Sequence, residues 1–517
     1  MNKKLLLILG LTIIILSNVV AQEHNIVINN NYSAVFNTLN PLLNTSNPAA
    51  TVYNPIDSIS RFSIGYKHHS GDLKRSMDSH SANEYTLQTE SYRKINKTLF
   101  FGRFEYLKSQ NKDRKYSNLY NPYRGTPYIF VDTVHSNNYD QEEYTLAASV
   151  AQQINPILSL AGAVDYQIAM GAQDRDPRSL NKVSELGTKL GALVELQESR
   201  LGLDLHYTYF NEDIDINIIQ EGATHTVFGL TGLGTTSRRN AKSFYRIYQG
   251  NDYGGSLQFE TQNNIINFGV STFEEVAKDG HQGSNATWSA IKTDSEYRGR
   301  KLSFSNIFTK QVGKNYHQLT LKAQQTKAVG SEYLQELVQT HEDYGVYQWQ
   351  TISKDDKYAK TSYDAKLNYT IANYKESYLR DYSLSAEIAY YQQEEVYNFQ
   401  DLRSDFSNLT YSISASKLFQ TGQHSIEAMA QVSYKSNLEN TQNLNFTTPI
   451  TELITRPDFQ YYTSDVMGGA CSLVYSFSTQ KDYHYYIKGK YDLYYSKDTF
   501  FDNKTRHYTS ISLGLMF

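Results

Sequence analysis

The chain has 517 residues, a mean hydropathy of −0.55, 44 tyrosines, 23 phenylalanines, a single cysteine and a formal net charge of −4. A helical membrane protein is excluded because no apolar run of about 20 residues follows the N-terminus. The single cysteine excludes a disulfide scaffold. The many aromatic residues exclude a disordered chain, and the mixed charge excludes a broadly basic nucleic-acid-binding protein. A chain of this length forms either several globular domains or one large barrel.

Residues 1–21 have the pattern of a secretory signal peptide. Lys3 and Lys4 precede an apolar run from Leu5 to Leu16, and Val19-Val20-Ala21 provides small residues before Gln22. This order of basic, apolar and small residues is typical of a cleaved export signal, although a single anchoring helix is the alternative. The near-absence of cysteine suits an oxidising compartment. The sequence therefore predicts an exported protein.

Residues 22–57 are punctuated by turn-forming pairs. Asn40-Pro41, Asn47-Pro48 and Asn54-Pro55 fall within sixteen residues. Such pairs interrupt regular structure. We therefore predict that residues 22–57 form a periplasmic lead-in to a barrel or a short plug that enters its lumen.

The rest of the chain alternates with a period of two. In Leu158–Met170 the even positions are mostly apolar and the odd positions small or polar, and Leu201–Tyr209 and Tyr483–Tyr495 repeat the pattern. Strands of this length exceed the usual five or six residues and match what a tilted strand needs to cross a bilayer. Their polar faces carry charges, which a dry sandwich core would not accept unpaired and a wet barrel lumen accepts readily.

Predicted connections alternate between short turns and long polar loops, as in outer-membrane barrels. The strands that they bracket, from Arg61–Ser70 to Thr505–Phe517, predict an all-β fold over residues 58–517: a single antiparallel transmembrane β-barrel of about 18 strands, within a range of 14–20. The predicted long loops are 110–141, 172–184, 212–251, 328–359 and 437–459, and the predicted short turns lie near Asn96, Asn155, Glu198, Asn263, Gly313, Lys375, Thr421 and Gln480.

The C-terminal strand also favours an outer-membrane location. Residues 509–517 alternate and end in the aromatic Phe517, which resembles the signal by which outer-membrane barrels are recognised for assembly. Tyrosine has an apolar ring and a polar hydroxyl, so its abundance suits the interfacial girdles of a barrel in lipid. We predict a protein of the cell outer membrane of a Gram-negative bacterium.

Three internal segments resemble an uncharacterised outer-membrane β-barrel family of the Bacteroidetes, a domain of unknown function. They lie at Asn121–Thr133, Asp165–Arg178 and Tyr245–Gly255. The resemblance implies an outer-membrane barrel without an established ligand, and a TonB-dependent uptake receptor or other outer-membrane protein as a partner. The Asn47-Pro48-Ala49 element is similar, more weakly, to the start of fatty-acid-transporter-like barrels.

One charged run is the strongest candidate for a pore constriction. Acids and bases alternate at the end of a predicted strand, before and after the stiff Pro177. Together with basic residues of two other loops, these charged residues would form a ring at the pore mouth. The equally good alternative is that they form salt bridges between loops that pack on one another. The residues concerned are Arg124, Asp174, Arg175, Asp176, Arg178, Arg238 and Arg239.

Other constellations favour no chemistry. Gly229, Gly232 and Gly234 lack the helix that a phosphate loop needs, so we predict a loop apex or a lumen constriction. Vicinal His68 and His69 point to opposite faces of a strand and rarely chelate one ion. A Gly-x-Ser-x-Gly signature is absent from the sequence. We predict no catalytic residues, metal or cofactor, and no nucleic-acid partner.

Three functions follow from these expectations. The first is a porin-like channel or accessory component for uptake of a small solute, which the charged lumen face favours at about 18 strands. The second is a non-enzymatic interaction module whose barrel anchors extracellular loops for a protein partner. The third is a transporter of hydrophobic compounds, favoured only by the Asn47-Pro48-Ala49 element.

Overall fold

The computed structural model describes most of the chain. The described ranges are 41–54, 57–134, 136–220, 225–241, 243–280, 291–341, 346–376, 379–444, 448–479 and 483–517. The predicted signal peptide, most of the predicted lead-in and parts of several connections lie outside these ranges.

Strands dominate the described residues. They are β1 Ser58–Gly71, β2 Ser81–Ile95, β3 Thr98–Arg114, β4 Phe130–Val131, β5 Asn137–Gln153, β6 Leu158–Gln173, β7 Arg178–Leu196, β8 Ser199–Asn217, β9 His225–Gly232, β10 Thr235–Ala241, β11 Ser243–Thr261, β12 Asn264–Gly280, β13 Lys292–Val312, β14 Asn315–His341, β15 Val346–Glu376, β16 Leu379–Tyr397, β17 Leu402–Thr421, β18 His424–Asn443, β19 Val466–Ser478, β20 His484–Ser496 and β21 Lys504–Met516.

Eighteen of these strands form one antiparallel sheet, and the other three (β4, β9 and β10) form a separate small sheet. The large sheet closes because β1 pairs on both sides: Ile64 lies opposite Leu87 of β2 and opposite Leu513 of β21. Closure removes the unpaired edges that an open sheet would expose. The predicted 18-stranded antiparallel barrel is confirmed.

The two faces of the barrel strands differ as the alternation predicts. In β6, Leu160, Ile168 and Met170 are exposed on the outer face, whereas Ser159 and Ala169 are buried on the lumen side. The outer positions of other strands repeat this pattern with leucine, isoleucine, phenylalanine and tyrosine. An apolar outer face and a polar lumen are what a barrel in a bilayer requires. Among the described residues, no helix is long and apolar enough to cross a membrane.

Connections at one end are tight turns, such as Asn96-Lys97 and Gly313-Lys314, and both Ser58 and Met516 lie at this short-turn end. Connections at the other end, the loop end, include longer segments. Four short helical segments occur in the described ranges: 3-10 helices Pro41–Asn44 and Pro48–Tyr53, a π-type turn Thr451–Thr455 and α1, Arg456–Thr463.

Three predicted long loops are wrong, and one of them, 212–251, consists mostly of residues of β8, β9, β10 and β11. Residues 172–184 mostly belong to β6 and β7, which are joined by only residues 174–177, and residues 328–359 mostly belong to β14 and β15. Beyond the pairs Ser295–Glu332 and Tyr358–Tyr397, the described parts of β14 and β15 pair only with each other. We call residues 333–341 and 346–357 the β-ribbon. None of its described side chains is buried, so the ribbon lacks the split between a buried and an exposed face that marks the barrel strands.

Candidate functional site: the closed lumen

The loop end of the lumen is filled by connections that fold inward. We call residues 115–134, 225–241 and 448–463 the loop cap. Within it, β4 pairs with β9, and β9 pairs with β10, so that Phe130 lies opposite Gly229. Apolar side chains of these segments pack with the inner faces of β8 and β11 into one buried cluster, which includes Phe130, Val131, Val227, Ile214, Tyr248, Ile450 and Ile454. The predicted polar loops therefore hold a hydrophobic core of their own.

The glycine-rich segment turns sharply inside this cap. Gly232, Leu233 and Gly234 all have positive φ, at 116°, 47° and 82°. A Cβ on Gly232 would lie 2.6 Å from the Tyr358 ring, and one on Gly234 would lie 2.7 Å from Thr451 Oγ1. Glycine is required here because it combines the left-handed conformation with this close approach. The segment is the turn of the β9–β10 hairpin, within the loop cap.

A buried arginine ties the cap to the barrel wall. Arg246 of β11 is 1% exposed, and its guanidinium donates to Asp279 at 2.6 and 3.0 Å and to Asp294 at 2.6 Å. The same group lies 3.8 Å from the centre of the Phe130 ring. Two carboxylates and an aromatic face compensate for the loss of hydration of this charge. Sequence reasoning missed Arg246, since its partners Asp279 and Asp294 lie on two other strands, β12 and β13.

Arg124 occupies the centre of the cap and faces a chamber below. Its Nη1 donates to Glu212 at 2.6 Å and its Nη2 to Glu275 at 3.0 Å, while the rings of Phe210 and Tyr248 each lie 4.5 Å from its guanidinium. Burial opposes the charge, but the carboxylates of Glu275 and Glu212 outweigh it and raise the pKa of Arg124. Arg124 is thus a fixed cation between two strands of the wall.

A polar latch joins α1 to the loop between β1 and β2. Asp458 accepts a hydrogen bond from the backbone N–H of Ser76 at 2.6 Å and faces the Tyr123 hydroxyl at 3.4 Å. Arg75 pairs with Asp78 at 3.0 Å and lies 3.6 Å over the Tyr123 ring. Burial raises the pKa of Asp458 to about 6. The latch therefore holds a carboxyl group that changes protonation near neutral pH.

Below the cap lies a lumen chamber of about 700 Å³. Arg124, Glu185, Glu212, Asp252, Glu274, Glu275, Lys301 and Lys360 supply the charged lining, and Phe210, Phe273, Tyr297 and Tyr391 supply aromatic rings. The carboxylates outnumber the Lys and Arg side chains in this lining. Lys301 is paired with Asp252 at 2.7 Å, so part of the charge is fixed in place. A chamber of this size and polarity suits a small hydrated solute.

The described part of the N-terminal segment, residues 41–54, packs on the lumen wall at the short-turn end. The Asn47 amide donates to the carbonyls of Ala192 and Leu203 at 3.0 and 3.3 Å and to Gln258 Oε1 at 3.0 Å. A Cβ on Gly191 would lie 2.1 Å from Asn47 Oδ1. Because residue 191 of β7 has no side chain, the Asn47-Pro48-Ala49 element can pack directly against the backbone of β7. We call this contact the seat of Asn47.

The structure separates the predicted constriction residues. Asp174 accepts hydrogen bonds from Asn138, and Asp176 accepts from the backbone of Ile219 and Gln220 and pairs with Arg178 at 3.0 Å. Arg175 and Arg178 are exposed at the loop-end rim, and Arg238 is exposed on β10. Arg239 lies on β10 opposite Val227, and its side chain falls outside the described part of the chain. Of the predicted residues whose side chains the structure describes, Arg124 alone lines the chamber.

The histidines near the first strand are held locally. His68 contacts Asn83 at 2.9 Å, His80 contacts Asp72 at 3.0 Å, and His69 lies 3.3 Å from Ser79. Within the described ranges no group of three or more His, Cys, Asp or Glu side chains is arranged to hold a metal ion.

The fold defines a large transmembrane-type β-barrel with chain segments packed inside it near both ends. The chain belongs to a family of unknown function, DUF6850, whose model matches residues 48–517. No curated protein is significantly similar to it in sequence.

Several solved barrels are similar to the chain at low identity. The ferric preacinetobactin receptor BauA of Acinetobacter baumannii is 9% identical over 89% of this chain and 80% of its own, with a TM-score of 0.39. The FrpB iron transporter of Neisseria meningitidis (F3-3 variant) is 10% identical over 91% and 83%, with a TM-score of 0.41. The ferric-catecholate import receptor Fiu of E. coli K12 is 8% identical over 89% and 82%, with a TM-score of 0.38. These similarities assign no ligand to the chain.

Proposed function

We propose that this chain is an outer-membrane barrel that passes or captures a small polar solute. The observation that carries the proposal is the charged lumen chamber of about 700 Å³ between the loop cap and the N-terminal segment. A barrel with an apolar exterior and a wet, charged interior suits solute passage across a bilayer. The outward leucine, isoleucine and tyrosine side chains support a location in the outer membrane. The proposal assigns no reaction to the chain.

The lining of the chamber favours a hydrated solute over a hydrophobic one. Arg124, Glu185 and Lys301 line the chamber with charged groups. A hydrophobic ligand would displace water from these groups without replacing its hydrogen bonds, which is unfavourable. The hydrophobic-compound alternative therefore has less support than the polar-solute proposal.

Conductance in planar bilayers tests the proposal. The full mature chain should be nearly silent, because closures occupy both ends of the lumen. Deleting residues 22–57 and 225–241 together should give stable ion conductance, and each single deletion should give less. A matched control that replaces the tip of the β-ribbon with a short turn should leave conductance at the level of its parent. Silence of the double deletion, with barrel folding verified by its resistance to heat-induced unfolding in detergent, would overturn the proposal.

The β-ribbon favours a second candidate function, an interaction module for another outer-membrane protein such as a TonB-dependent receptor. Leu334 and Ile352 are each 59% exposed on the ribbon, and Leu337 lies opposite Trp349. A projecting two-stranded ribbon is only marginally stable by itself, and exposed apolar side chains on it suit contact with a protein.

Purification from native outer membranes tests this second function. The wild-type chain should retain one defined outer-membrane protein, and the double variant Leu334→Lys and Ile352→Lys should lose it. Phe399→Lys, which adds a charge at another residue of high exposure (73%), is the matched control and should retain the partner. Equal retention by all three chains would contradict a role for the β-ribbon.

A further inference from the structure

A second cavity, of about 340 Å³, lies on the side of the lumen formed by β1, β20 and β21. It is lined by Lys67, Leu73, Tyr461, Val466, Lys490, Asp492, Tyr494, Arg506, Tyr508 and Ser510. Tyr461 comes from α1 and Leu73 from the loop after β1, so the loop end roofs the cavity. We call it the tyrosine chamber, and none of its lining residues belongs to the larger chamber.

Aromatic faces form one part of its wall. The rings of Tyr494 and Tyr508 stand nearly perpendicular, at 88°, with centroids 6.0 Å apart. Tyr494 is 38% exposed although it faces the lumen. Such rings offer an apolar face to a flat cyclic ligand, while their hydroxyls, with Ser510 and Asp492, offer hydrogen bonds to polar substituents.

Cations dominate the charge that this cavity presents. Lys67 pairs with Glu84 at 3.0 Å and Lys490 with Asp492 at 2.9 Å, and in each pair the lysine is the more exposed partner: 42% against 20%, and 38% against 13%. The guanidinium of Arg506 donates to the backbone carbonyls of Gly71 and His80. The lining of the tyrosine chamber thus holds three cationic side chains and one carboxylate, that of Asp492, whereas carboxylates outnumber cations in the larger chamber.

We infer that the tyrosine chamber binds an acidic sugar, a hexuronic acid in its pyranose form. Its carboxylate would meet Lys67 and Lys490, its ring would pack on Tyr494 and Tyr508, and its hydroxyls would bond to Asp492 and Ser510. The volume lies at the lower end of the range for small-molecule sites, about 300–1,000 Å³, which suits a single sugar ring rather than an oligosaccharide. This inference does not depend on conductance through the larger chamber.

Binding to the full chain in detergent tests the inference with three probes. D-glucuronate carries both the hydroxyls and the carboxylate, D-glucose lacks the carboxylate, and benzoate lacks the hydroxyls. Calorimetric titration should show D-glucuronate binding at least about tenfold more tightly than either other probe. Tyr508→Ala and Tyr494→Ala should each weaken D-glucuronate binding by roughly threefold to tenfold, as loss of an aromatic contact predicts.

Tyr485→Ala is the matched control, because Tyr485 lies on β20 but on the outer face, where it is 48% exposed. It should bind D-glucuronate like the wild type. If D-glucose bound as tightly as D-glucuronate, the carboxylate would have no role in binding. If benzoate bound as tightly as D-glucuronate, the hydroxyls would have none, and the assignment of a sugar ligand would be wrong. Absence of binding to all three probes, or unchanged binding in both tyrosine variants, would overturn the site.

Discussion

Different kinds of packing hold the inward-folded segments at the two ends of the lumen. At the loop end, fifteen buried apolar residues form one cluster that includes aromatic rings such as Phe130 and Tyr248. At the short-turn end, the N-terminal segment contributes to a cluster of eight, four of which are alanines, and is positioned by the polar side chain of Asn47. Burial of alanine stabilises far less than burial of a large side chain, because stabilisation scales with the apolar area removed from water. By this measure the N-terminal segment is held more weakly than the loop cap.

The largest expected effect concerns the ion pairs of the loop end. Arg246→Met would leave Asp279, which is 4% exposed, without its guanidinium partner. Breaking one side of a buried ion pair costs about 3–5 kcal/mol. We expect the free energy of unfolding, measured by urea titration in detergent micelles, to fall by that amount.

Arg403→Met is the control for this prediction. Arg403 pairs with Glu394 at the rim, and the two side chains are 55% and 38% exposed. Loss of an exposed pair should cost no more than about 1 kcal/mol. Equal losses for the two variants would show that the buried pair does not anchor the loop cap.

An intermediate effect is expected at the short-turn end. Gly191→Val places a side chain where Asn47 Oδ1 and Pro48 Cδ lie, 2.1 and 2.8 Å from the new Cβ. We expect the N-terminal segment to leave its seat while the barrel stays folded, since only lumen contacts change. In a chain that already lacks residues 225–241, Gly191→Val should then raise conductance to the level given by deletion of both 22–57 and 225–241.

Gly162→Val adds the same side chain on the neighbouring strand β6, where the nearest atom to a new Cβ is Leu190 Cδ2 at 3.9 Å. It should leave conductance unchanged. If Gly191→Val behaved like Gly162→Val, the N-terminal segment would not be what closes this end.

The smallest expected effect is a pH dependence of the latch. The pKa of Asp458 rises from 3.8 to about 6 on burial, so the docked state holds its proton more tightly than the undocked state. Docking of α1 is therefore strongest below about pH 4 and weakens as the pH rises through 6. The groups that face Asp458 are Ser76, Asp78, Tyr123 and Tyr462.

Hydrogen exchange of the α1 amides, corrected for intrinsic rates, should show greater protection at pH 4 than at pH 7. Asp458→Asn keeps the shape of the side chain and removes its titration, so protection should become independent of pH. Persistence of the pH dependence in this variant would assign it to another group.

Much of the barrel could be predicted because a strand in a membrane has one face in lipid and one in water. The alternation in Leu158–Met170 and Tyr483–Tyr495 identifies strands directly. The loop cap could not be predicted this way, since its strands pair with each other and not with the wall. One signal was available: the apolar run Ile129-Phe130-Val131 lies inside a connection that is otherwise polar.

The residues of the candidate site were likewise predictable from the sequence only in part. Arg124 could be identified as a charge at the pore, but its partners Glu212 and Glu275 lie 88 and 151 residues away in sequence. Asp174 and Asp176 bond instead to neighbours at the rim. The local sequence pattern shows which residue types lie near a connection. Which side chains pair across the lumen depends instead on how far each connection folds inward, and the pattern does not show this.

The alternation along the chain is enough to predict a closed antiparallel barrel, because in such a barrel every second side chain faces lipid and the others face the lumen. The loop cap, the contact of Asn47 with Gly191, the chamber around Arg124 and the tyrosine chamber arise only when distant strands come together in one wall. The physical reason is that each strand contacts lipid with its own outer face, so its alternation is visible in its own sequence. Contacts in the lumen instead join side chains from many of the eighteen strands, which are distant in sequence.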